Sequence, residues 1–380
     1  MLRQGENAVA QSRRNASARP DLQLWRRVRR LQQSGVSPDV LREDIRDYVQ
    51  KGVQDHADFI LDLRRTETLF RNDDPETLQA VEPELLQGMG SRSSERMVMR
   101  SRRARVPLDS VVSFTEAMNR RSFQKQKLGQ DDAIPENRLL TKTGSYDFAR
   151  EIGVRVPEQS EVFTSAELQP RIGIAVKPAN GEGSRGVYLI HSEERIVVVK
   201  TGETLQDFDS LKRHLRESLA NNVVREDAWV AEELIYEDLL AKKPARDFKF
   251  HCFYGKCPLV LEAVRFPEHG YTWWSAQGSK TILGRHASQD VPGMGFPQEY
   301  LELAEEISVK IPAPFMRIDL MHSHDGPVLG EFTGHPGGYE QFGPKWDRIL
   351  GKAHAEAEAQ LLRDLLSGKQ FPHFTTSSDA

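Results

Sequence analysis

The sequence predicts an α+β fold preceded by a mainly helical N-terminal region. Apolar residues recur at helical spacing between 21 and 130, with almost no strand signal. Beyond 131 the chain changes to short β-rich runs separated by Gly and Pro, with helical patterns among them. We therefore expect a basic disordered tail over 1–20, a helical domain over 21–130, an α+β domain over 131–371 and a disordered tail over 372–380.

The helical region contains one clear helix start and one apparent break. Ser37 is a suitable cap, and Pro38 follows at the first helical position, where its missing N–H costs nothing. The segment 85–105 contains Gly, Ser and many Arg. This composition predicts a loop or linker between two helical groups.

Positive charge is concentrated in the N-terminal third. Residues 1–130 hold 24 Lys and Arg against 18 Asp and Glu, although the whole chain carries a net charge of −4. Arginine clusters at 26–30 and 102–105 would suit an anionic partner such as a polyanionic glycan. Solvated helical faces are the favoured interpretation, and a nucleic-acid partner is not expected, since no nucleic-acid-binding motif accompanies the clusters.

Composition also indicates the cellular location of the protein. The chain has no run of 18 apolar residues, so the sequence predicts no membrane span. Its two cysteines, Cys252 and Cys257, lie in one apolar stretch, which fits reduced core thiols better than a disulfide or a zinc site. The N-terminus lacks the apolar core of a secretory signal. These features predict a cytoplasmic protein.

A glycine-rich loop follows Lys177 and carries the pattern Gly-x-Gly-x-x-Gly at 181–186. Glycines let the backbone approach phosphate oxygens closely. A strand rather than a helix follows the loop, which disfavours dinucleotide binding, and no kinase catalytic-loop motif follows either. Two interpretations remain open: a hairpin without a ligand, or a flap over phosphates with Lys177 as a nearby point charge.

A second pattern suggests a metal-binding hairpin. Side chains alternate along a strand, so Arg317 and Asp319 share one face, as do Glu331 and Thr333 after a turn-like segment. If the two strands pair, the carboxylates converge, and Mg²⁺ bridging phosphates requires one or two carboxylates. An ordinary surface ion pair is the alternative, and the spacing alone does not decide between them.

A third segment, 230–235, is an apolar strand that ends in acids and precedes the charged segment 246–250. A strand end of this kind can offer backbone groups to an adenine ring and a nearby acid to ribose hydroxyls. Taken alone, the pattern is typical of a core strand.

Several segments in chain order resemble the TupA-like ATP-grasp family, which is associated with teichuronopeptide and capsule polysaccharide biosynthesis. They are DFKFHCFYGK (247–256), RIDL (317–320), GEFT (330–333) and WDRILG (346–351). The resemblance extends from about 137 to 371. It implies an ATP-grasp fold, in which two α+β subdomains clamp ATP, and an ADP-forming carboxylate–amine ligase that works through an acyl phosphate.

The resemblance also implies a role for each motif residue, with ATP and Mg²⁺ as cofactors. Phosphate binding would fall to Lys142, Lys177 and the loop residues Gly181, Gly183, Ser184, Arg185 and Gly186. Adenine would meet Glu232, Glu233 and Leu234, and ribose would meet Glu237 or Asp238. Lys249 and Arg317 would neutralise charge during catalysis, and Asp319, Glu331 and Thr333 would bind the metal.

Two departures from the family pattern bear on these expectations. Many ATP-grasp enzymes have Asn where this chain has Thr333, and their preceding domain is α/β rather than helical. The substrates would be a small-molecule or glycan-linked carboxylate and an amine donor. Candidate residues on the acceptor side are Trp273, Trp274, Lys280, Arg265 and His335, for each of which a structural role is favoured.

Two other functions remain as alternatives. An ATP-grasp phosphotransferase (kinase) would have the same nucleotide site but a hydroxyl acceptor. A non-catalytic, nucleotide-responsive protein could instead dock its basic N-terminal helices on a glycan-assembly enzyme or another anionic surface. The joint presence of Arg317, Asp319 and Glu331 argues against this last alternative.

Overall fold

The computed structural model describes residues 23–70, 72–129, 134–180, 185–264 and 270–374. The predicted tail over 1–20 and the last six residues lie outside this part of the chain. The chain divides into two compact units, Met1–Val111 and Val112–Ala380.

The first unit is helical, as the apolar periodicity predicts. Its helices are α1 (Gln23–Gln33), α2 (Pro38–Leu69), α3 (Pro75–Met89) and α4 (Glu95–Arg103). Helix α2 begins at Pro38 as expected, although the Ser37 hydroxyl makes no capping hydrogen bond. Leu86 and Met97 are fully buried at the centre of this unit's core.

The prediction of a linker over 85–105 was wrong. Helix α3 continues to Met89, and α4 begins after Ser94, whose hydroxyl accepts a hydrogen bond from the Met97 N–H. The Arg-rich composition was misleading because Arg100 lies inside the unit, in ion pairs with Glu67 and Glu82. A buried guanidinium with carboxylate partners looks like a solvated residue in sequence alone.

The second unit begins earlier than the composition predicts, at Val112 rather than at 131. Helix α5 (Phe114–Leu128) packs on the long C-terminal helix, Pro344–Leu366. Phe114 is fully buried among aromatic rings of the second unit. The Asp347 carboxylate also accepts hydrogen bonds from the backbone N–H and the hydroxyl of Thr115, at 2.8 and 2.7 Å.

Two antiparallel sheets form the body of the second unit. The first sheet consists of β1 (Ile174–Pro178), β2 (Tyr188–Ser192), β3 (Arg195–Val198), β4 (Thr204–Leu205) and β5 (Trp229–Glu233). The second consists of β8 (Asp247–Cys252), β9 (Leu259–Val264), β10 (Gly270–Ser275), β11 (Lys280–Thr281), β12 (Met316–Ser323) and β13 (Gly326–Thr333). The first sheet has the order β4-β3-β2-β1-β5, and the second has the order β11-β10-β9-β8-β12-β13.

The remaining elements connect and cover these sheets. They are α6 (Pro135–Arg138), α7 (Lys142–Glu151), the hairpin β6 (Tyr236–Asp238) and β7 (Lys243–Pro244), α8 (Phe208–Ala220), α9 (Gln298–Ser308) and α10 (Pro344–Leu366). Each sheet has its own hydrophobic core. The α+β prediction is confirmed, with antiparallel sheets and no strict βαβ alternation.

Several smaller expectations can be compared with the structure. Cys252 and Cys257 are buried free thiols, as predicted. In the described part of the chain, no helix combines the length and the hydrophobicity needed to span a bilayer. The expectation of a disordered tail from 372 was wrong at its start, because Pro372–Phe374 forms a short 3-10 helix that buries Phe374.

Candidate active site

A cavity of about 500 Å³ is lined by residues of both sheets of the second unit. One part of its wall is apolar and comes mainly from the first sheet, including Ala175, Leu189 and Val197. The opposite part carries charged side chains of the second sheet. A cavity of this kind can bind a flat heterocycle against its apolar wall and the attached phosphates at its charged side chains.

Two lysines distant in sequence meet at the charged side of the cavity. Lys177 on β1 forms an ion pair with Glu232 on β5, and Lys142 Nζ lies 3.8 Å from the same carboxylate. Lys142 also donates to the Gly330 carbonyl at 3.1 Å. Burial lowers the pKa of Lys177 to about 8, although the charge of Glu232 opposes this shift. Phosphate oxygens could therefore replace Glu232 as the partner of both amines.

Tyr146 completes this cluster, although no motif in the sequence indicates it. Its hydroxyl donates to Glu232 at 3.0 Å and accepts from Lys142 Nζ at 2.9 Å. Burial and the charge of Glu232 raise the pKa of Tyr146, so the hydroxyl stays protonated. The spacing of Lys142 and Tyr146, four residues apart on α7, was the available signal, because such residues share a helix face.

The glycine-rich loop is only partly described. Gly181, Gly183 and Ser184 lie outside the residues that the structure describes. Gly186 has a φ of 69°, and a Cβ there would lie 2.7 Å from Val224, so this position requires glycine. Arg185 lines a separate surface depression with Asn180 and Glu226 rather than the cavity.

The expected adenine-binding strand lies at the cavity, but the expected ribose ligand does not. Glu232, Glu233 and Leu234 line the cavity, and the Leu234 N–H donates to the Gly173 carbonyl at 2.9 Å. The Glu233 carboxylate pairs with Arg155 at 2.8 Å. Glu237 is not part of the cavity wall; it forms ion pairs with Arg246 and Lys243, which lower its pKa despite burial.

The carboxylate hairpin forms as the alternation predicts. Strands β12 and β13 pair with Asp319 opposite Glu331 and Arg317 opposite Thr333, and Lys249 on β8 lies opposite Asp319. The Arg317 guanidinium donates to both oxygens of Asp319 at 2.7 and 2.8 Å, to Glu331 at 3.0 Å and to the Thr333 hydroxyl at 2.9 Å. Lys249 pairs with Asp319 from the other side.

The two carboxylates of this hairpin differ in protonation behaviour. Burial alone would raise the pKa of Asp319, but Arg317 and Lys249 outweigh it and hold this pKa well below the usual range. The pKa of Glu331 is raised, first by burial and then by the negative charge of Asp319. The neighbouring cations therefore compensate Asp319 fully but not Glu331.

This donor set fits a magnesium ion. The negative charge of Glu331 is under-compensated and faces Asp319 across the hairpin, an arrangement that a divalent cation would relieve. No group of three or more metal-ligating side chains occurs among the residues described, so the nucleotide phosphates and water would supply the remaining ligands. Thr333, the third expected ligand, instead accepts a hydrogen bond from Arg317.

The acceptor-side candidates of the sequence mainly hold the structure together. The indole N–H groups of Trp273 and Trp274 donate to the Arg285 carbonyl and to Glu262, respectively. Lys280 pairs with Asp290 at 2.8 Å, and His335 bonds to the Ser122 hydroxyl at 2.6 Å. Arg265 lies outside the described ranges. Lys200, which follows β3, also lines the cavity.

The solved structures to which this chain is similar include two ligases. D-alanine–D-alanine ligase from Bacillus anthracis complexed with ATP is 14% identical, with a TM-score of 0.35, over 63% of this chain and 69% of that chain. The ATP-grasp ligase PsnB complexed with minimal precursor, Mg and ADP is 12% identical, with a TM-score of 0.34, over 77% of this chain and 74% of that chain. No curated protein sequence matches significantly.

A protein-family model described as TupA-like ATPgrasp matches residues 122–354. The match begins within helix α5, includes both sheets and the cavity between Lys142 and Glu331, and ends within α10. It spans more than half of the sequence. The chain therefore belongs to the TupA-like ATP-grasp family.

Proposed function

We propose that the protein is an ADP-forming carboxylate–amine ligase that uses Mg-ATP. The observation that carries this proposal is the arrangement of charges around one cavity. Lys142 and Glu232 lie at one part of its wall, with Lys177 paired to Glu232 behind them, and the cluster of Lys249, Asp319 and Glu331 with Arg317 lies at another. Such an arrangement can hold a polyphosphate and neutralise a second anion beside it.

In the proposed reaction, a carboxylate oxygen of the substrate attacks the γ-phosphorus of ATP, and ADP leaves. The nitrogen of the amine then attacks the acyl carbon, phosphate leaves, and the nitrogen gives up a proton. Lys249 and Arg317 hold fixed positive charge beside the transferred phosphoryl group, where they stabilise the negative charge that develops. Mg²⁺ held by Asp319 and Glu331 would add further charge neutralisation at the phosphates.

The apolar wall has its own role. Side chains such as Val187, Leu189 and Met321 limit water at the cavity, which strengthens the electrostatic interactions inside it. Limiting water also protects a reactive acyl phosphate from hydrolysis. The chain supplies position and charge, and the reaction needs no side-chain nucleophile.

Within this proposal, the carboxylate is a small molecule or is linked to a glycan. The family resemblance supports a setting in cytoplasmic polysaccharide, glycopeptide or related peptide-like biosynthesis. The arginine-rich α1 in the first unit would then offer a surface to an anionic partner.

A Mg-dependent ATP turnover assay tests the proposal, using the purified full chain with pooled amino acids and uronic acids. We expect ADP and free phosphate, both dependent on a carboxylate and an amine, and both formed about 10²–10³-fold more slowly by Glu331→Gln. Glu356→Gln is the matched control, since Glu356 pairs with the exposed Lys256. Phosphate retained on a hydroxyl acceptor would replace the proposal with a phosphotransferase. ATP binding without turnover on any pool would favour the nucleotide-responsive alternative.

A further inference from the structure

Arg285 differs from the arginines that form the ion networks of the structure. Arg317, Arg246, Arg155 and Arg100 each pair with two carboxylates. Among the residues described, no carboxylate forms an ion pair with Arg285, which is partly buried. A desolvated guanidinium without a counterion is costly unless a ligand supplies one.

The Arg285 backbone is fixed from two sides. Its N–H donates to the Gln341 carbonyl at 3.0 Å, and its carbonyl accepts from the Trp273 indole at 3.0 Å. A Cβ on Gly284 would lie 2.4 Å from the Gln341 carbonyl oxygen, so the two segments approach closely. The position of Arg285 is therefore determined by backbone contacts and not by an ion pair.

The guanidinium is fixed as well, but only through neutral contacts. Its Nε donates to His286 Nε2 at 3.1 Å, and the group packs over Gly338, where an added Cβ would lie 3.0 Å from it. The His286 ring in turn stacks on Tyr271, with centroids 3.9 Å apart. No hydrogen bond from Nη1 or Nη2 to another described residue occurs, so the end of the planar fork is available to a carboxylate.

Arg285 lies beside the proposed reaction centre, on the same side of the second sheet. Trp273, Lys249 and Asp319 occupy one row of paired strand positions through Leu261, and their side chains share one face. His251 and Arg317 form the next row on that face. The His251 ring contacts Trp273, whose indole holds Arg285, and burial followed by the charge of Arg317 lowers the pKa of Arg285.

The nucleotide cavity includes Asp319 and Lys249 but not Arg285. The charge of Arg317, which lies in the row next to Asp319, acts on Arg285 outside the cavity wall. In an acyl phosphate reaction the acyl carbon follows the phosphate, and the attacking amine with its substituents follows the acyl carbon. Arg285 therefore lies where a substituent of the amine substrate would be placed.

We propose that Arg285 binds a carboxylate of the amine substrate, so that the amine is an amino acid or a similar amino-carboxylate. This inference rests on the proposed ligase function and names the substrate class of the same site. Arg285 would act as a specificity-determining residue: it contacts the amine substrate but not the atoms that transfer.

Hydroxylamine tests the ligase function separately from the role of Arg285. It is a small amine without a carboxylate, and it traps an acyl phosphate as a hydroxamate. In wild-type protein with Mg-ATP and the pooled carboxylates, we expect amino acids to compete with hydroxamate formation about tenfold better than their decarboxylated amines. Arg285→Gln is expected to lose this tenfold preference, so that amino acids and their decarboxylated amines compete equally. Arg285→Lys should keep part of the preference, because it retains charge but not the fork.

Several results would overturn the inference. Equal competition by amino acids and decarboxylated amines, or an unchanged preference in Arg285→Gln, removes the role of Arg285. A change confined to the use of dicarboxylic acids would assign Arg285 to the acid substrate instead. Arg363→Gln, an exposed change on α10, is the matched control, and thermal melting checks that each variant folds.

If wild-type protein forms no hydroxamate, the proposed function fails while the anion site is still testable. Malonate titrated into the full chain should then bind about tenfold more weakly to Arg285→Gln than to wild type. Glu340→Gln should bind it at least as well as wild type, because Glu340 is a nearby negative charge that raises the pKa of Arg285. Equal malonate affinity in wild type and Arg285→Gln would overturn the inference.

Discussion

The two units of the protein each contain an ion network built on one arginine, and the two networks differ in their surroundings. In the helical unit, Arg100 pairs with Glu67 and Glu82, whose residues are 5% and 0% exposed. In the second unit, Arg317 pairs with Asp319 and Glu331. Asp319 is buried, but 49% of the Glu331 side chain is exposed beside the cavity.

This difference separates a structural network from a functional one. The Ser101 hydroxyl also donates to Glu82, at 2.5 Å, so the first network is enclosed by its own helices. The second network leaves the charge of Glu331 under-compensated and next to open space. An arginine with two carboxylates thus stabilises the core of the helical unit, whereas the same groups in the second unit remain available to a ligand.

Arg100→Met should have the largest effect on stability. It leaves Glu67 and Glu82 buried without a cation, which is expected to cost about 3–5 kcal/mol in the free energy of unfolding of the helical unit. Urea unfolding measures the loss. Adding Glu67→Met and Glu82→Leu to this variant should recover most of it, because an apolar replacement removes the unpaired charges. A cost below about 1 kcal/mol for Arg100→Met would show that the network is not structural.

Glu331→Gln should lower ATP turnover without lowering stability. ATP turnover is expected to fall by about 10²–10³, since one electrostatic contact to the reacting phosphates is lost. The melting temperature should stay the same or rise, because the variant removes an under-compensated negative charge. Glu356→Gln, which changes an exposed pair, should alter neither quantity. A Glu331→Gln variant that loses stability but keeps turnover would reverse the assignment of the two networks.

Much of the second unit could be predicted from local sequence pattern. The β-rich runs beyond 131 were expected, and the pairing of Asp319 with Glu331 followed from alternation around a turn. Both depend on neighbours along the chain, which periodicity reports directly. The strand Gly270–Ser275 was missed, because its aromatic residues were considered only as ligand candidates.

Long-range contacts explain the remaining misses. The ion pairs of Glu237 could not be predicted from the sequence. Its partners Arg246 and Lys243 come close to it because of the β6–β7 hairpin. The boundary near 130 overlooked Phe114, which packs on rings more than 130 residues away, and Arg285 carried no motif at all. Burial and distant partners decide these roles, and neither is visible in a local pattern.

Lys177 offers a pH test of the open site. Burial lowers the pKa of Lys177 to about 8, so its positive charge is lost as the pH rises through this value. The Kd of a non-hydrolysable ATP analogue should therefore rise above pH 8, by up to about tenfold per pH unit. Lys177→Arg keeps its positive charge, so its Kd for the analogue should stay constant between pH 7 and 9.5. Calorimetric titration measures the Kd for wild type and for Lys177→Arg. The same change of Kd with pH in both proteins would exclude Lys177 as a phosphate ligand.

The smallest expected effect is a change in stability with pH that depends on Glu331. Its raised pKa means that the folded protein holds this proton to higher pH than the unfolded chain, whose carboxyl titrates near 4.5. The free energy of unfolding should therefore decrease as the pH rises from 4.5 through the raised value. Solvent around the half-exposed side chain limits this decrease to less than about 1 kcal/mol.

Comparing wild type with Glu331→Gln isolates this decrease, since glutamine does not titrate. Asp319 contributes in the opposite direction: its depressed pKa adds stability that is present above the ordinary carboxyl range and is lost only in stronger acid. The stability difference between the two proteins should therefore change only above pH 4.5. A difference that stays constant with pH would mean that Glu331 is compensated in the folded protein as fully as Glu82, and the distinction between the open and the enclosed network would not hold.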